Sequence, residues 1–251
     1  MILRLLILLT LCALPVRAEE VVAGLSQRQI SISTNFDGSE ILIFGAIKRQ
    51  QAIDYSTELG VIITVSGPDE ALTVRRKEKV GPIWVNVDAL GVQSAPTLYA
   101  VSTSAPISEL VSEDTDLLHR ISVRSAIFAG MADQGVDGDA FTEALIRIRT
   151  ESKRYQMNEG AVELTSDTLF NTSVSLPANL VEGNYAVRFL LLRDKQVISQ
   201  YETVIFVRKV GMERFLHALA YEQPYLYGLL SLFIAIAAGW GASAVFRYVR
   251  N

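Results

Sequence analysis

Gln29-Ile30-Ser31-Ile32-Ser33-Thr34, then Asn35-Phe36-Asp37-Gly38-Ser39, then Glu40-Ile41-Leu42-Ile43-Phe44-Gly45-Ala46-Ile47 is the stretch that decides the fold class. The first six residues alternate with the two-residue period of a strand, the next five are turn formers, and the last eight resume as a β-branched and aromatic run. The same grammar repeats at Leu59 to Val65, Ala71 to Arg76, Ile83 to Val87 and Pro96 to Ser102, with Gly67-Pro68-Asp69 and Gly81-Pro82 as turns. Short strands at this spacing predict a β-sandwich over residues 19–103. Within it, the alternation of Ile83, Val85 and Val87 puts Trp84 on the opposite face with Asn86, where a core position is expected for so large a ring.

Residues 104–159 read differently. Ser104-Ala105-Pro106 is a helix-start signal, with Ile107, Leu110 and Val111 following at i, i+3 and i+4. A longer helix is predicted from Asp139, its expected cap. Phe141, Ala144, Leu145 and Ile148 share one face, Glu143, Arg147 and Glu151 form an i, i+4 ladder on another, and Gly160 ends the run. Strands return in residues 160–210, at Ala161 to Leu164, Leu169 to Leu176, Tyr185 to Arg193 and Val197 to Val207. Tyr185, entering a late strand after Leu176 to Asn184, fits the corner of an immunoglobulin-like sandwich, in which a tyrosine bonds back to the preceding loop. The expected fold is therefore mainly β, an immunoglobulin-like β-sandwich with an α-helical middle segment.

Two apolar runs bracket this domain. Ile2 to Val16, with Arg4 near its start, Pro15 and the small-residue exit Val16-Arg17-Ala18, reads as a signal peptide of residues 1–18. Pro224 to Phe246 carries no charge over 23 positions. As a helix it would extend about 34 Å, enough to cross a hydrocarbon core of about 30 Å. Residues 224–246 are the expected transmembrane helix and residues 247–251 the cytoplasmic tail, whose Arg247 and Arg250 agree with the positive-inside rule. Residues 211–223, with Phe215, Leu216 and Leu219 before Tyr221, read as a juxtamembrane interfacial segment. Inside the span Ala235, Gly239 and Ser243 recur every fourth residue beside Ala237 and Gly241. That row suits close packing by another helix, or belongs to a lone anchor.

Composition narrows the function. Half of the residues are hydrophobic and a fifth charged, which suits a folded domain with one span. Without Arg4, Arg17, Arg247 and Arg250 there remain 19 basic against 27 acidic residues, a net of −8, which disfavours nucleic acid as a partner. The single cysteine, Cys12, lies in the signal's apolar core after Leu11, so the mature chain has no disulfide, thiolate nucleophile or cysteine metal site. His119 and His217 are far apart and lack an i+4 partner for zinc. Gly-x-Ser-x-Gly, Walker and Gly-x-Gly-x-x-Gly patterns are absent. Asp133-Gln134-Gly135-Val136-Asp137-Gly138-Asp139 lacks the third alternating ligand and terminal Glu of a calcium loop, and reads as a solvated turn. No catalytic residue, metal or cofactor is expected, and no enzyme.

The candidate binding residues are Arg75, Arg76, Lys77 and Lys79, four cations in five positions on an acidic chain. They suit an oxyanion or an acidic partner surface, or else keep a strand end soluble before Gly81-Pro82.

Four passages carry a family resemblance. They are Val74-Arg75-Arg76-Lys77-Glu78-Lys79, Ile83-Trp84-Val85-Asn86, Asp139-Ala140-Phe141-Thr142-Glu143-Ala144-Leu145-Ile146-Arg147 and Val207-Arg208-Lys209-Val210-Gly211-Met212-Glu213-Arg214-Phe215. In that order, before a helix containing Ala238-Gly239-Trp240, the chain resembles the alphaproteobacterial putative transmembrane protein family. The resemblance implies an inner-membrane protein with a periplasmic domain and no catalytic residues. It also implies a transporter accessory whose partner is an inner-membrane protein such as a sulfite or anion exporter. The alternatives are a periplasmic sensor or solute-binding module using the basic cluster, and an envelope hydrolase, for which no nucleophile and base pair is identifiable.

Overall fold

The computed structural model describes residues 19–49, 57–130, 137–210 and 219–249. In chain order the strands are β1 (Glu19–Leu25), β2 (Gln29–Ile32), β3 (Gly38–Arg49), β4 (Leu59–Ser66), β5 (Asp69–Val80), β6 (Ile83–Pro96) and β7 (Tyr99–Thr103), followed by β8 (Phe128–Ala129), β9 (Tyr155–Asn158), β10 (Glu163–Thr165), β11 (Leu169–Pro177), β12 (Gly183–Arg193) and β13 (Gln196–Lys209). The helices are α1 (Ile107–Leu110), α2 (Glu113–His119), α3 (Gly138–Glu151) and α4 (Pro224–Val249). These residues fall into two units, one of residues 19–30 and 37–207, the other of residues 31–36 and 208–249.

The strands form three sheets, ordered β1-β3-β11-β10, β2-β13-β12-β4-β7-β9 and β5-β6-β8. In the first, alternation holds: Ile41, Ile43 and Ile47 of β3 and Phe170, Val174 and Leu176 of β11 are buried, while Leu42 and Phe44 face outward. This buried face meets the second sheet, with the rings of Phe170 and Phe189 6.0 Å apart. Close approach there requires Gly45, because a Cβ on it would lie 2.3 Å from Phe170 Cζ and 2.7 Å from the Val22 carbonyl oxygen.

The second sheet is covered on both sides, so β4 and β7 are buried almost throughout in place of an alternation. Its far side carries a core of Ile62, Tyr99, Val101, Val111, Ile121, Tyr155, Leu190 and Leu192, against which Ile107, Leu110 and Ile146 from the helices pack. The strands of 160–210 pair with those of 19–103, through β3 with β11 and β4 with β12. The molecule is mainly β.

The long helix begins two residues earlier than a cap at Asp139 would place it. Asp137 is the cap, its side chain accepting from the backbone N–H of Asp139 at 3.1 Å and of Ala140 at 3.3 Å. Asp139 instead pairs with Arg124 at 2.5 Å. The buried face is Phe141, Thr142, Leu145 and Arg149, and Ile148 is exposed. The helix ends at Glu151, ahead of Gly160. The signal-peptide reading of residues 1–18 lies outside the described residues.

In the other unit α4 contains the candidate membrane span, Pro224–Ser243, apolar and long enough by composition to cross a bilayer. Among the described residues nothing lies within 4 Å of where a Cβ on Gly239 or Gly241 would stand. The row of Ala235, Gly239 and Ser243 is thus on an exposed side of the helix.

Candidate functional site

The third sheet contains the site. β5 and β6 continue as an antiparallel ribbon up to the pair Val80 and Ile83, longer than the expected strands Ala71 to Arg76 and Ile83 to Val87. Gly81 closes it with φ of 63° and Pro82 supplies a fixed negative φ, the sign pair of a type II′ hairpin turn. At the root the ribbon is packed: Leu72 and Val74 face Leu90 and Val92, and this face meets Leu145 of α3.

The root is locked by a cation that the helix pattern does not single out. Arg149, 6% exposed, pairs with Glu70, donates through Nη1 to the Pro96 carbonyl at 2.9 Å and lies 5.4 Å from the Tyr155 ring centroid. Tyr155 donates its hydroxyl to the same carbonyl at 3.0 Å. Burial pushes the Tyr155 hydroxyl up to about 12, although the Arg149 charge acts against the shift. Burial also raises Tyr99, which donates to the Arg120 carbonyl at 2.8 Å, and Tyr185, which donates to the Val181 carbonyl at 2.8 Å.

Beyond Val74 and Leu90 the ribbon carries on for six residues, about 20 Å at strand rise. Both of its strands are exposed there, apart from half-buried Val85 and Asp88. Trp84 is 67% exposed, which corrects the core position expected for it. Trp84 and Asn86 do share a face, as the alternation requires, but Trp84 is not covered by another layer among the described residues. Register puts Lys79 across from Trp84, Lys77 across from Asn86 and Arg75 across from Ala89, so three cations and the indole share one face.

The other face pairs Val80 with Ile83 and Glu78 with Val85. A bulge sits between these pairs and Arg76, with Val87 as the extra residue. Arg76 differs from the other three cations: it points to this second face and is held by Asp88 in an ion pair. Among the described residues Arg75, Lys77 and Lys79 have no ion pair. The sequence cluster of four is therefore one structural pair and three cations presented to solvent.

A second charged cluster had no sequence motif. Glu19, half-buried in β1, accepts from Arg49 Nε at 2.8 Å and from Arg193 Nη2 at 3.1 Å. Arg193 also donates to Thr57 Oγ1 at 2.8 Å. The two arginines line a cavity of about 410 Å³ with Leu59, Ser104 and Asp167. The only hint in the sequence was an arginine closing each of two apolar strands, at Ile47-Lys48-Arg49 and Leu190-Leu191-Leu192-Arg193. The charges are committed to one another, which is the chemistry of a strand clamp. Among the described residues no group of three or more His, Cys, Asp or Glu could hold a metal. Asp133 to Val136 and His217 lie outside the described residues.

These features define a mainly β protein with one candidate membrane span near its C-terminal end. The chain belongs to the family described as Putative transmembrane protein (Alph_Pro_TM), which matches residues 20–248. No curated protein and no solved structure matches it.

Proposed function

We propose that the chain is a single-pass inner-membrane protein whose β domain faces the periplasm and acts by docking, without catalysis, against an anionic surface at the membrane. The supporting observation is the ribbon: an exposed Trp84 opposite Lys79, with Lys77 and Arg75 beside them and, among the described residues, no carboxylate paired to any of the three. A large exposed aromatic flanked by solvent-facing cations suits a contact surface. The apolar leader with its Val16-Arg17-Ala18 exit and the arginines after the span support the orientation. The Tyr185 to Val181 bond supports an immunoglobulin-like sandwich.

The role this serves best is an accessory subunit of an inner-membrane transporter, held laterally through Ala235, Gly239 and Ser243. Export of sulfite or another anion as the transporter's task rests on the family resemblance alone. A small-solute site on the basic cluster fits less well, because small ligands favour concave sites and this face is an open ribbon. The test is photo-cross-linking in native membranes from a photoreactive residue at position 84. Capture of an anionic molecule at the membrane, lost on Lys79→Glu, is expected. Contact with solvent alone would overturn the docking role. Gly239→Leu should release a co-purifying polytopic protein, and unchanged association would remove the helix from the interface.

A further inference from the structure

Resting on the docking role above, we infer that the surface met by the ribbon is the anionic phospholipid headgroup layer, with the tip Val80 to Trp84 entering it. The physical basis is the order of side chains along the ribbon axis. The tip is apolar, with Val80, Ile83 and Trp84 55%, 59% and 67% exposed around Gly81-Pro82. Lys79 stands level with Trp84, and Lys77 and Arg75 follow behind it on the same face, a cationic collar at the base of the tip. A bilayer surface has the same order in depth: acyl boundary, then phosphates.

A protein interface is built differently, with an apolar centre ringed by polar residues and not graded along an axis. The dimensions agree too. From Lys79 and Trp84 to the turn is two strand positions, about 7 Å, within the 5–10 Å that interfacial segments enter. Tryptophan is also a residue that settles at the headgroup level. Opposing charge is small, since Glu78 lies on the other face and Asp88 is held by Arg76.

The chain itself supplies the membrane. β13 ends at Lys209 and α4 begins at Pro224, so a short segment joins the β domain to the candidate span. Such a tether keeps the effective concentration of bilayer high, and a weak insertion is then enough. Each cation near an anionic surface contributes roughly a fivefold preference.

The experiment uses the full chain in lipid nanodiscs. Trp84 and Trp240 are its two tryptophans, so Trp240→Phe leaves Trp84 as the only indole reporter. Discs of phosphatidylcholine alone are compared with discs of equal phosphatidylcholine and phosphatidylglycerol, each with and without bromine on the upper acyl chain. In anionic discs Trp84 emission should shift to the blue and be quenched by bromine. Each of Arg75→Gln, Lys77→Gln and Lys79→Gln should lower the inserted-to-free ratio about fivefold, as should added salt in part. Circular dichroism of these exposed-site variants checks that the fold is kept.

Emission of a solvated, unquenched indole in anionic discs would overturn the inference. If position 84 nonetheless cross-links to a protein in native membranes, the lipid inference falls and the docking role stands. If it meets neither lipid nor protein, both fall.

Discussion

The two ends of one hairpin follow opposite rules. At the root of β5 and β6, Leu72, Val74, Leu90 and Val92 face α3, and the cation there, Arg149, is buried with a carboxylate, a carbonyl and an aromatic ring around it. At the tip the same antiparallel pairing continues, yet Val80, Ile83 and Trp84 face solvent and Lys79 has no ion pair among the described residues. Backbone pairing alone therefore extends the ribbon, while side-chain packing ends some six residues earlier. A short two-stranded hairpin is marginal by itself, so this one depends on its root for stability and leaves its tip available for contact.

The largest test of that contrast is Leu90→Ala. It removes a fully buried side chain at the root and should cost about 2–5 kcal/mol in chemical denaturation of the full chain in detergent. A loss below about 1 kcal/mol would mean that the root is not packed as described.

Alkaline pH probes the root next. Tyr155 ionises near 10 in the unfolded chain and at about 12 in the folded one. The unfolded state then loses its proton first, so stability is full below pH 10 and falls as pH rises towards 12. At pH 11 the expected loss from Tyr155 is about 1 kcal/mol, with Tyr99 and Tyr185 adding in the same direction. Phenolate absorbance that accounts for all nine tyrosines before near-ultraviolet dichroism is lost would show these three rings to be accessible.

The smallest effect belongs to the tip. Ile83→Ser should change denaturation by less than about 0.5 kcal/mol, since the side chain has little packing to lose. A cost approaching that of Leu90→Ala would erase the distinction between the two ends.

Much of the strand order could be read from the chain. Runs such as Leu59 to Val65 and Tyr185 to Arg193 have β-branched density and flanking turns that local physics decides, and they appear as β4 and β12. The ends of β5 and β6 could not be read, because cross-strand hydrogen bonding carries polar residues such as Lys77 to Lys79 into a strand that propensity alone would end at Arg76. Trp84 was misplaced for a related reason. Periodicity assigns a side chain to a face, but only tertiary structure says whether that face is covered. Arg149 was hidden because helix patterning counts a charged residue as exposed, whereas here its guanidinium meets partners that come from β5 and from the end of β6. Asp139 was expected as the cap because a carboxylate suits that position, but the chain enters the helix two residues earlier, at Asp137, and Asp139 is taken up by Arg124.

The pairing of β4 with β12 has a kinetic consequence. Ile63 lies beside Phe189, and Ile43 of β3 beside Thr172 of β11, so strands from the first third of the domain find their neighbours only after most of it has been made. Closing such distant contacts is slow, and the early apolar strands wait with open edges until the late ones arrive. Folding of the β domain is therefore completed only when the chain up to β13 is present, almost at the start of the span. A chain cut before Gly183 would keep Ile62 and Ile63 with β7 on one side yet lack β12 on the other, making it a substrate for chaperones and proteases and not a smaller working domain.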